Sequence, residues 1–473
     1  MKKMKKIYYT ILLNIILCAN LSAADKLVIN YDYAIFRSPY NEINNYIELY
    51  FSYPITAYTM NYNDEELYSG NLIFDFRIDS LDMSILNEKW EVPISFYKNQ
   101  LNDISQDFYG LKRFFYENNK NKLHSGIYKA TLSVFDKYGN RHYEDTFSIV
   151  VNKEKDKLGL SSIQIANNIT PKSKAKGNEA ELFYKNQHYV YPNPQCEISS
   201  DVLTLYVYSE IYNAQLSDTL EIKYEIRNAK DIIEEEYFYN KPAFSSAMVE
   251  TIAYPIDVLP TGVYTLILQV TTDKDTVIQK KNFYVVNKNV ETDERRYYTE
   301  DEQFDLSEFA TMSEDKVKLE FSQSEVLATK DEIILWKKLT DLKAKQRFLF
   351  QFWYIRNSDI GNSFNDKLFE HRERIKYVNT YYSYAGRENG WNTDRGRIYV
   401  KFGLPDHKDE VPGTPIQHPY QVWTYHSIEG GAKFVFIDMM GLENYKLIHS
   451  THSGYITNYN WQNMVDKKSV KIE

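Results

Sequence analysis

A mostly β chain closing with an α+β unit is the fold class the sequence predicts, and three observations predict it. Short runs of alternating apolar and polar residues, separated by polar turns, fill the first 288 positions. Two segments within that region resemble each other. From about residue 289 the pattern changes, and a polar linker gives way to apolar residues at helical spacing. A length of 473 residues allows about three domains.

The first element is a leader. Lys2, Lys3, Lys5 and Lys6 precede a short apolar run, Ile7 to Leu17, and Ser22-Ala23-Ala24 supplies small residues before Asp25. This pattern predicts a signal peptide over 1–24 and an exported protein, either periplasmic or cell-surface/secreted. Leu17 stands where a lipoprotein would need a small residue before Cys18. Loss of four lysines leaves 52 basic against 65 acidic residues, so the net charge moves from −9 to −13. That balance argues for no nucleic acid among the partners. Cys196 alone remains of two cysteines, so no internal disulfide forms, and a buried, inert thiol is expected. No later run approaches the roughly 18 apolar residues of a membrane span, so no transmembrane segment is expected in the mature chain.

The repeat defines the next two elements. Ser125-Gly126-Ile127-Tyr128 opens one strand and Thr261-Gly262-Val263-Tyr264 another, 136 positions later. Phe147 to Lys153 matches Phe283 to Lys288, with Val151 and Val286 separated by 135. In each copy a glycine-led strand, a polar turn and a closing strand make an antiparallel hairpin. Tyr46 to Tyr53, Leu72 to Ile78, Leu203 to Tyr208 and Leu220 to Ile226 read as earlier strands, and Leu158 to Ile165 as an entering one. Units of this size and pattern predict two tandem immunoglobulin/fibronectin-like β-sandwiches, over 25–153 and 157–288, joined by a charged connector. Glu234-Glu235-Glu236 reads as a solvent-facing strand end. The 42 tyrosines suit half-buried strands, and they would also suit a binding surface.

A polar linker over 289–301 follows. Asp331 to Trp353 carries apolar residues at helical spacing without Gly or Pro, and Phe364 to Tyr384 is a second helical stretch. Then comes Gly390-Trp391-Asn392-Thr393-Asp394-Arg395-Gly396-Arg397-Ile398-Tyr399-Val400-Lys401-Phe402. This segment resembles the signature of the GWxTD domain family of exported bacterial proteins, met here by Gly390, Trp391, Thr393 and Asp394. Phe352-Trp353 with Arg356, Glu373-Arg374 with Asn379, Tyr420 to Tyr425 and Phe434 to Asp438 resemble further parts of that domain. Asn357 departs from it, standing where the family more often has an acid. The resemblance implies a GWxTD domain over 302–460, a helical segment packed on a small antiparallel sheet, with a polar tail over 461–473. The family brings no established reaction, so the expected catalytic residues are none.

Read from its residues, the motif suits a structural role. Gly390 allows a tight turn, Thr393 and Asp394 can hold local backbone groups, and Trp391 can bury a large ring. Ile398, Val400 and Phe402 alternate as a strand would. A buried pair between Asp394 and an arginine is the expected bond. The competing reading makes Gly390, Trp391, Thr393, Asp394, Arg395 and Arg397 an exposed site for a carboxylate or a glycan. Elsewhere, His449-x-x-His452 sits in a loop-like context, so the expected metal sites and cofactors are none. Ser95-x-x-Lys98 and Ser313-x-x-Lys316 lack the companion motifs of serine–lysine acylases. The expectation is a non-enzymatic envelope protein acting as a protein-binding or structural module with an envelope protein partner. A glycan-binding or glycan-processing protein with its site around the motif loop is the alternative.

Overall fold

The computed structural model describes residues 27–467 apart from 39–40, 64–66, 81–82, 98–99, 101–106, 116–122, 124, 140, 152–156, 178–179, 200–202, 217, 291–297, 361, 384–388 and 442. The leader at 1–24, most of the charged connector, most of the linker and the end of the tail lie outside the described residues.

Residues 27–151 supply seven main strands: β1 (Asn30–Ser38), β2 (Asn41–Pro54), β3 (Leu67–Asp79), β4 (Ser84–Tyr97), β5 (Asp107–Phe114), β6 (Gly126–Asp136) and β7 (His142–Val151). The order β1-β2-β5 makes one antiparallel sheet and β4-β3-β6-β7 a second. Residues 159–285 supply eight: β8 (Gln164–Pro171), β9 (His188–Pro192), β10 (Thr204–Tyr212), β11 (Thr219–Asn228), β12 (Ile233–Pro242), β13 (Ala247–Pro255), β14 (Gly262–Thr271) and β15 (Thr276–Val285). A third sheet runs β9-β8-β10-β13 and a fourth β15-β14-β11-β12. The two-residue strand Glu197–Ile198 adds to β15 in parallel.

Both glycine-led hairpins are present. Gly126 pairs with Val151 in one, and Gly262 pairs with Val285 in the other. The residue equivalent to Val151 is therefore Val285, not Val286, because the second hairpin closes with a shorter turn. The longer first turn is held from inside, where Arg141 binds the Asp136 carboxylate at 2.9 Å and donates to the Thr56 carbonyl at 3.0 Å.

The four sheets stack as layers. Strand residues point alternately to opposite faces, and β2 uses both of its faces. Ile47, Leu49, Phe51 and Tyr53 pack on Leu72, Phe74 and Phe76 of the second sheet. Tyr46 and Tyr50 point the other way, with Ala34 and Phe36, onto Val190 and Tyr208 of the third sheet. Leu205, Val207 and Ile211 of β10 then pack on Leu220, Ile222, Leu266 and Leu268 of the fourth. Two tandem sandwiches were expected. The first and third sheets also meet, as a further core.

That middle core also holds buried charge. Glu48 is 0 % exposed and accepts from Lys185 Nζ at 2.6 Å, Arg113 Nε at 2.7 Å and the Tyr50 hydroxyl at 2.6 Å. The Lys185 ammonium lies over the rings of Phe36 and Tyr208, at 4.0 and 4.2 Å. Glu210 accepts from the hydroxyls of Tyr208 and Tyr212 at 2.8 and 2.7 Å. Burial by itself raises the Glu48 carboxyl, but Lys185, Arg113 and two side-chain hydrogen bonds bring it below its ordinary value.

Beyond the sheets come α1 (Glu300–Leu306), α2 (Glu314–Ser324), α3 (Lys330–Lys338), α4 (Leu342–Tyr354), α5 (Asp366–Tyr381) and α6 (Asp394–Phe402). The antiparallel sheet β16 (His407–Val411), β17 (Tyr420–Tyr425), β18 (Ala432–Ile437) and β19 (Lys446–Ser450) follows, then α7 (Trp461–Val465). Three expectations are corrected here. The single helix expected over 331–353 is two, because Asp341 accepts from the Ala344 N–H and starts α4 afresh. Helix α1 begins at Glu300, inside the expected linker, on a capping box between Thr299 and Glu302. The start of the tail is docked: Val465 is buried and Trp461 packs on Tyr420.

Removing one partner of a buried ion cluster strands the others, at about 3–5 kcal/mol. Glu48→Gln should lose about that much in chemical denaturation at neutral pH, while Glu48→Leu with Lys185→Met should recover most of it. Because the Glu48 value is lowered, its contribution is complete above the ordinary 4.5 and is lost as the pH falls through the lowered value. The acid limb of a stability–pH curve should therefore flatten in Glu48→Gln.

Candidate functional site

The motif residues surround the start of α6. Thr393 is the N-cap: its Oγ1 accepts from the Gly396 N–H at 3.0 Å and donates to the Gly390 carbonyl at 2.7 Å. A capped segment with Ile398, Tyr399 and Phe402 on one side is helical, which corrects the strand expected from Ile398, Val400 and Phe402. Both glycines are places of close approach. A Cβ on Gly390 would lie 1.7 Å from the Val378 carbonyl oxygen of α5, and one on Gly396 would lie 1.7 Å from the Gly390 oxygen.

The remaining polar groups hold backbone. Asp394 Oδ2 accepts from the Leu447 N–H of β19 at 2.8 Å, so the expected Asp394–arginine pair is not its bond. Arg395 is 7 % exposed, lies between the rings of Tyr382 and Tyr445 at 4.9 and 4.2 Å, and donates to the Glu443 carbonyl at 3.1 Å. Burial lowers its pKa from the ordinary value. Trp391 is 6 % exposed, and its main-chain N–H donates to Asn379 Oδ1 at 3.2 Å. Arg374 donates to the Val400 carbonyl at 3.0 Å. Arg397 is exposed and donates to Asn392 Oδ1 at 2.8 Å. The loop thus ties α5, α6 and β19 together and turns only Arg397 outward.

Other sequence candidates have local roles. Ser313 caps α2 by accepting from the Lys316 N–H at 3.4 Å, which accounts for that Ser-x-x-Lys pattern. Lys98 of the other pattern lies outside the described residues. His449 Nδ1 accepts from the Asn458 N–H at 3.0 Å. Among the described residues no group of three or more His, Cys, Asp or Glu could hold a metal ion. Burial pushes the Cys196 thiol up to about 12, with Asp32 adding to the shift. Glu234, Glu235 and Glu236 open β12, where Glu235 accepts from the Tyr254 hydroxyl at 2.8 Å and Glu236 pairs with Lys223 at 2.6 Å.

A different place has the shape of a site. Where the end of the fourth sheet meets α1, α4 and α5 there is a cleft of about 750 Å³. Tyr284, Thr261 and Glu197 belong to one wall; Glu308, Phe309, Trp353 and Arg372 belong to the other. Arg372 grips Glu308 with two bonds, 2.8 and 2.9 Å, and Glu320 with a third at 3.2 Å. Burial raises the Glu197 carboxyl, and the nearby Glu308 raises it further. Trp353 is 1 % exposed, and its indole Nε1 has no hydrogen-bond partner among the described residues; the same holds for Ser363 Oγ on the same wall. His371, stacked on Trp353 at 5.0 Å, is pushed down to about 3 by burial and by Arg372 and Arg374. The sequence reading missed this cleft. Its walls are gathered from segments spread between Glu197 and Lys376, and Trp353 stood out only through its likeness to the family's helix end.

No family model matches the chain, and no curated protein does. Solved structures give distant likenesses. Red sea bream transglutaminase is 7 % identical with a TM-score of 0.18, over 55 % of this chain and 31 % of that one. The Parabacteroides merdae β-glucuronidase is 12 % identical with a TM-score of 0.16, over 56 % of this chain and 29 % of that one. The chain spans about a third of the length of these structures.

Thr393→Ala removes a helix cap and should destabilise by about 1 kcal/mol. Gly390→Ala should cost more, because the clash is with backbone. Thermal melts of the two variants should rank in that order.

Proposed function

We propose that the chain is an exported envelope protein of the GWxTD domain type, periplasmic or cell-surface, and that it acts by binding a protein partner rather than by catalysis. The leader pattern supports export. Gly390, Trp391, Thr393 and Asp394 support the family, and their hydrogen bonds to backbone fit a motif that holds the domain together. The paired sheets of 27–151 and 159–285, each closing on a glycine-led hairpin, support an immunoglobulin/fibronectin-like reading of two sandwiches, an architecture suited to presenting surfaces.

One observation carries the binding reading: the 750 Å³ cleft between the fourth sheet and the helices. Its size lies within the usual range for ligand pockets, and junctions between structural units are where such pockets concentrate. The glycan alternative centred on the motif loop has less support, since Trp391 and Arg395 are buried and offer a sugar neither ring nor charge.

Two measurements test this. In the source cell, the mature chain should begin at Asp25 by intact mass and fractionate outside the cytoplasm. A photo-crosslinking residue at exposed Glu373 or Lys376, on the cleft, should give a discrete protein adduct, whereas the same residue at Arg397 should not. Absence of an adduct from both cleft positions would defeat the protein-binding reading.

A further inference from the structure

One edge of the fourth sheet is open. Strand β12 pairs with β11 on one side and with no described strand on the other, whereas the opposite edge, β15, is covered by Glu197–Ile198. The register decides which main-chain groups are left over. The Ala243 N–H donates to the Asp218 carbonyl at 3.0 Å, and Thr219 stands opposite Pro242. Bonded and unbonded positions alternate along an antiparallel ladder. Lys241, Tyr239, Tyr237 and Glu235 therefore turn their main chain to β11. Glu236, Phe238 and Asn240 turn N–H and C=O outward, where no described residue takes them up. Pro242, which has no N–H to offer, falls on the same open side, as an edge proline does.

Open edges invite pairing, and proteins blunt them with charge, proline or bulges. The edge strand β4 is blunted along its middle, where Lys89, Glu91 and Pro93 are exposed. On β12 the bulge lies at the Ile233 end and the proline at the other end. Its middle is Tyr237-Phe238-Tyr239, with Phe238 64 % exposed.

The edge also complements itself. A second copy laid antiparallel about a two-fold axis at Phe238 sets Phe238 beside Phe238, Glu236 beside Asn240, Tyr237 beside Tyr239 and Glu235 beside Lys241. Outward groups then meet outward groups, and unlike charges stand opposite each other, which favours a strand pair. Neighbouring registers lose this match. An axis at Tyr237 sets Glu236 against Phe238 and Lys241 against Ile233, and an axis at Glu236 sets that carboxylate against itself. An axis at Tyr239 leaves Glu235 opposite Ala243. The acids of β12 are also held within their own copy, Glu234 by Asn228 at 2.6 Å, Glu235 by the Tyr254 hydroxyl at 2.8 Å and Glu236 by Lys223 at 2.6 Å.

We propose that two copies of the chain join through β12, antiparallel about an axis at Phe238, so that the fourth sheet continues from one copy into the other. Phe238 exchanges both main-chain bonds with its mate, and Glu236 does so with Asn240 of the second copy. No β12 residue lines the cleft, so this interface and the cleft are separate surfaces.

Sedimentation equilibrium of the whole mature chain tests this. The wild-type chain should pass from monomer to dimer within the micromolar to millimolar range. Phe238→Lys, which puts a charge at the axis, and Asn240→Pro, which removes an outward N–H, should each raise the dissociation constant about tenfold or more. Both change groups turned away from β11, so melting curves recorded on the monomer should stay in place. Phe238→Cys should be joined to a second copy by a short bismaleimide, and Lys89→Cys on β4 should not. Cys196 stays out of that reaction because burial pushes its thiol up to about 12. A chain that remains monomeric throughout the range overturns the proposal. A dimer indifferent to both Phe238→Lys and Asn240→Pro overturns it too, as does equal linking of Lys89→Cys and Phe238→Cys.

Discussion

Glu48 sits between two sheets with no exposed surface, and the stacking of the N-terminal two-thirds depends on how its charge is met. Lys185 reaches it from the third sheet, while Arg113 and Tyr50 come from its own. A buried carboxylate is tolerated only when paired and hydrogen-bonded. The first and third sheets therefore meet in one register, with Lys185 opposite Glu48 and between the rings of Phe36 and Tyr208. Tyr208, Glu210 and Tyr212 repeat the device on the facing strand.

Tyrosine is the common instrument. A strand that places Glu and Tyr two residues apart puts both on one face, and the phenol then covers apolar area while its hydroxyl serves the carboxylate. Glu48 with Tyr50, and Tyr208 with Glu210 and Tyr212, follow that spacing. Across strands the same pairing joins Tyr224 to Glu250 at 3.0 Å and Tyr254 to Glu235 at 2.8 Å. Part of the tyrosine excess is thus a way to build a core that accepts acids.

At the other end of the molecule the logic is reversed. The motif loop satisfies its polar groups locally, so its residues hold α5, α6 and β19 in place and turn little outward. Along the cleft, Arg372 grips the two carboxylates of Glu308 and Glu320. Where Glu48 and Asp394 are fully satisfied, the cleft of about 750 Å³ stands open as a place for a ligand.

Local patterns were enough for much of the fold. Alternation placed the strands from Tyr46 to Tyr53 and Leu220 to Ile226 and the glycine-led hairpins, because alternation is a property of neighbouring residues; the strands at Tyr420 to Tyr425 and Phe434 to Ile437 were expected from the family resemblance. Periodicity failed where a cap decided the outcome, at Thr393 and Asp341, since one side-chain oxygen on a backbone N–H outweighs a few ambiguous apolar positions. The sequence by itself determined the mostly β character, the helical stretch, the burial-prone motif and the leader-like start. Only the tertiary structure decided that the sheets form four layers and that a cleft opens beside Glu197. Both depend on which distant faces meet, and a face of Tyr and Glu reads the same in sequence whether water or another sheet lies against it.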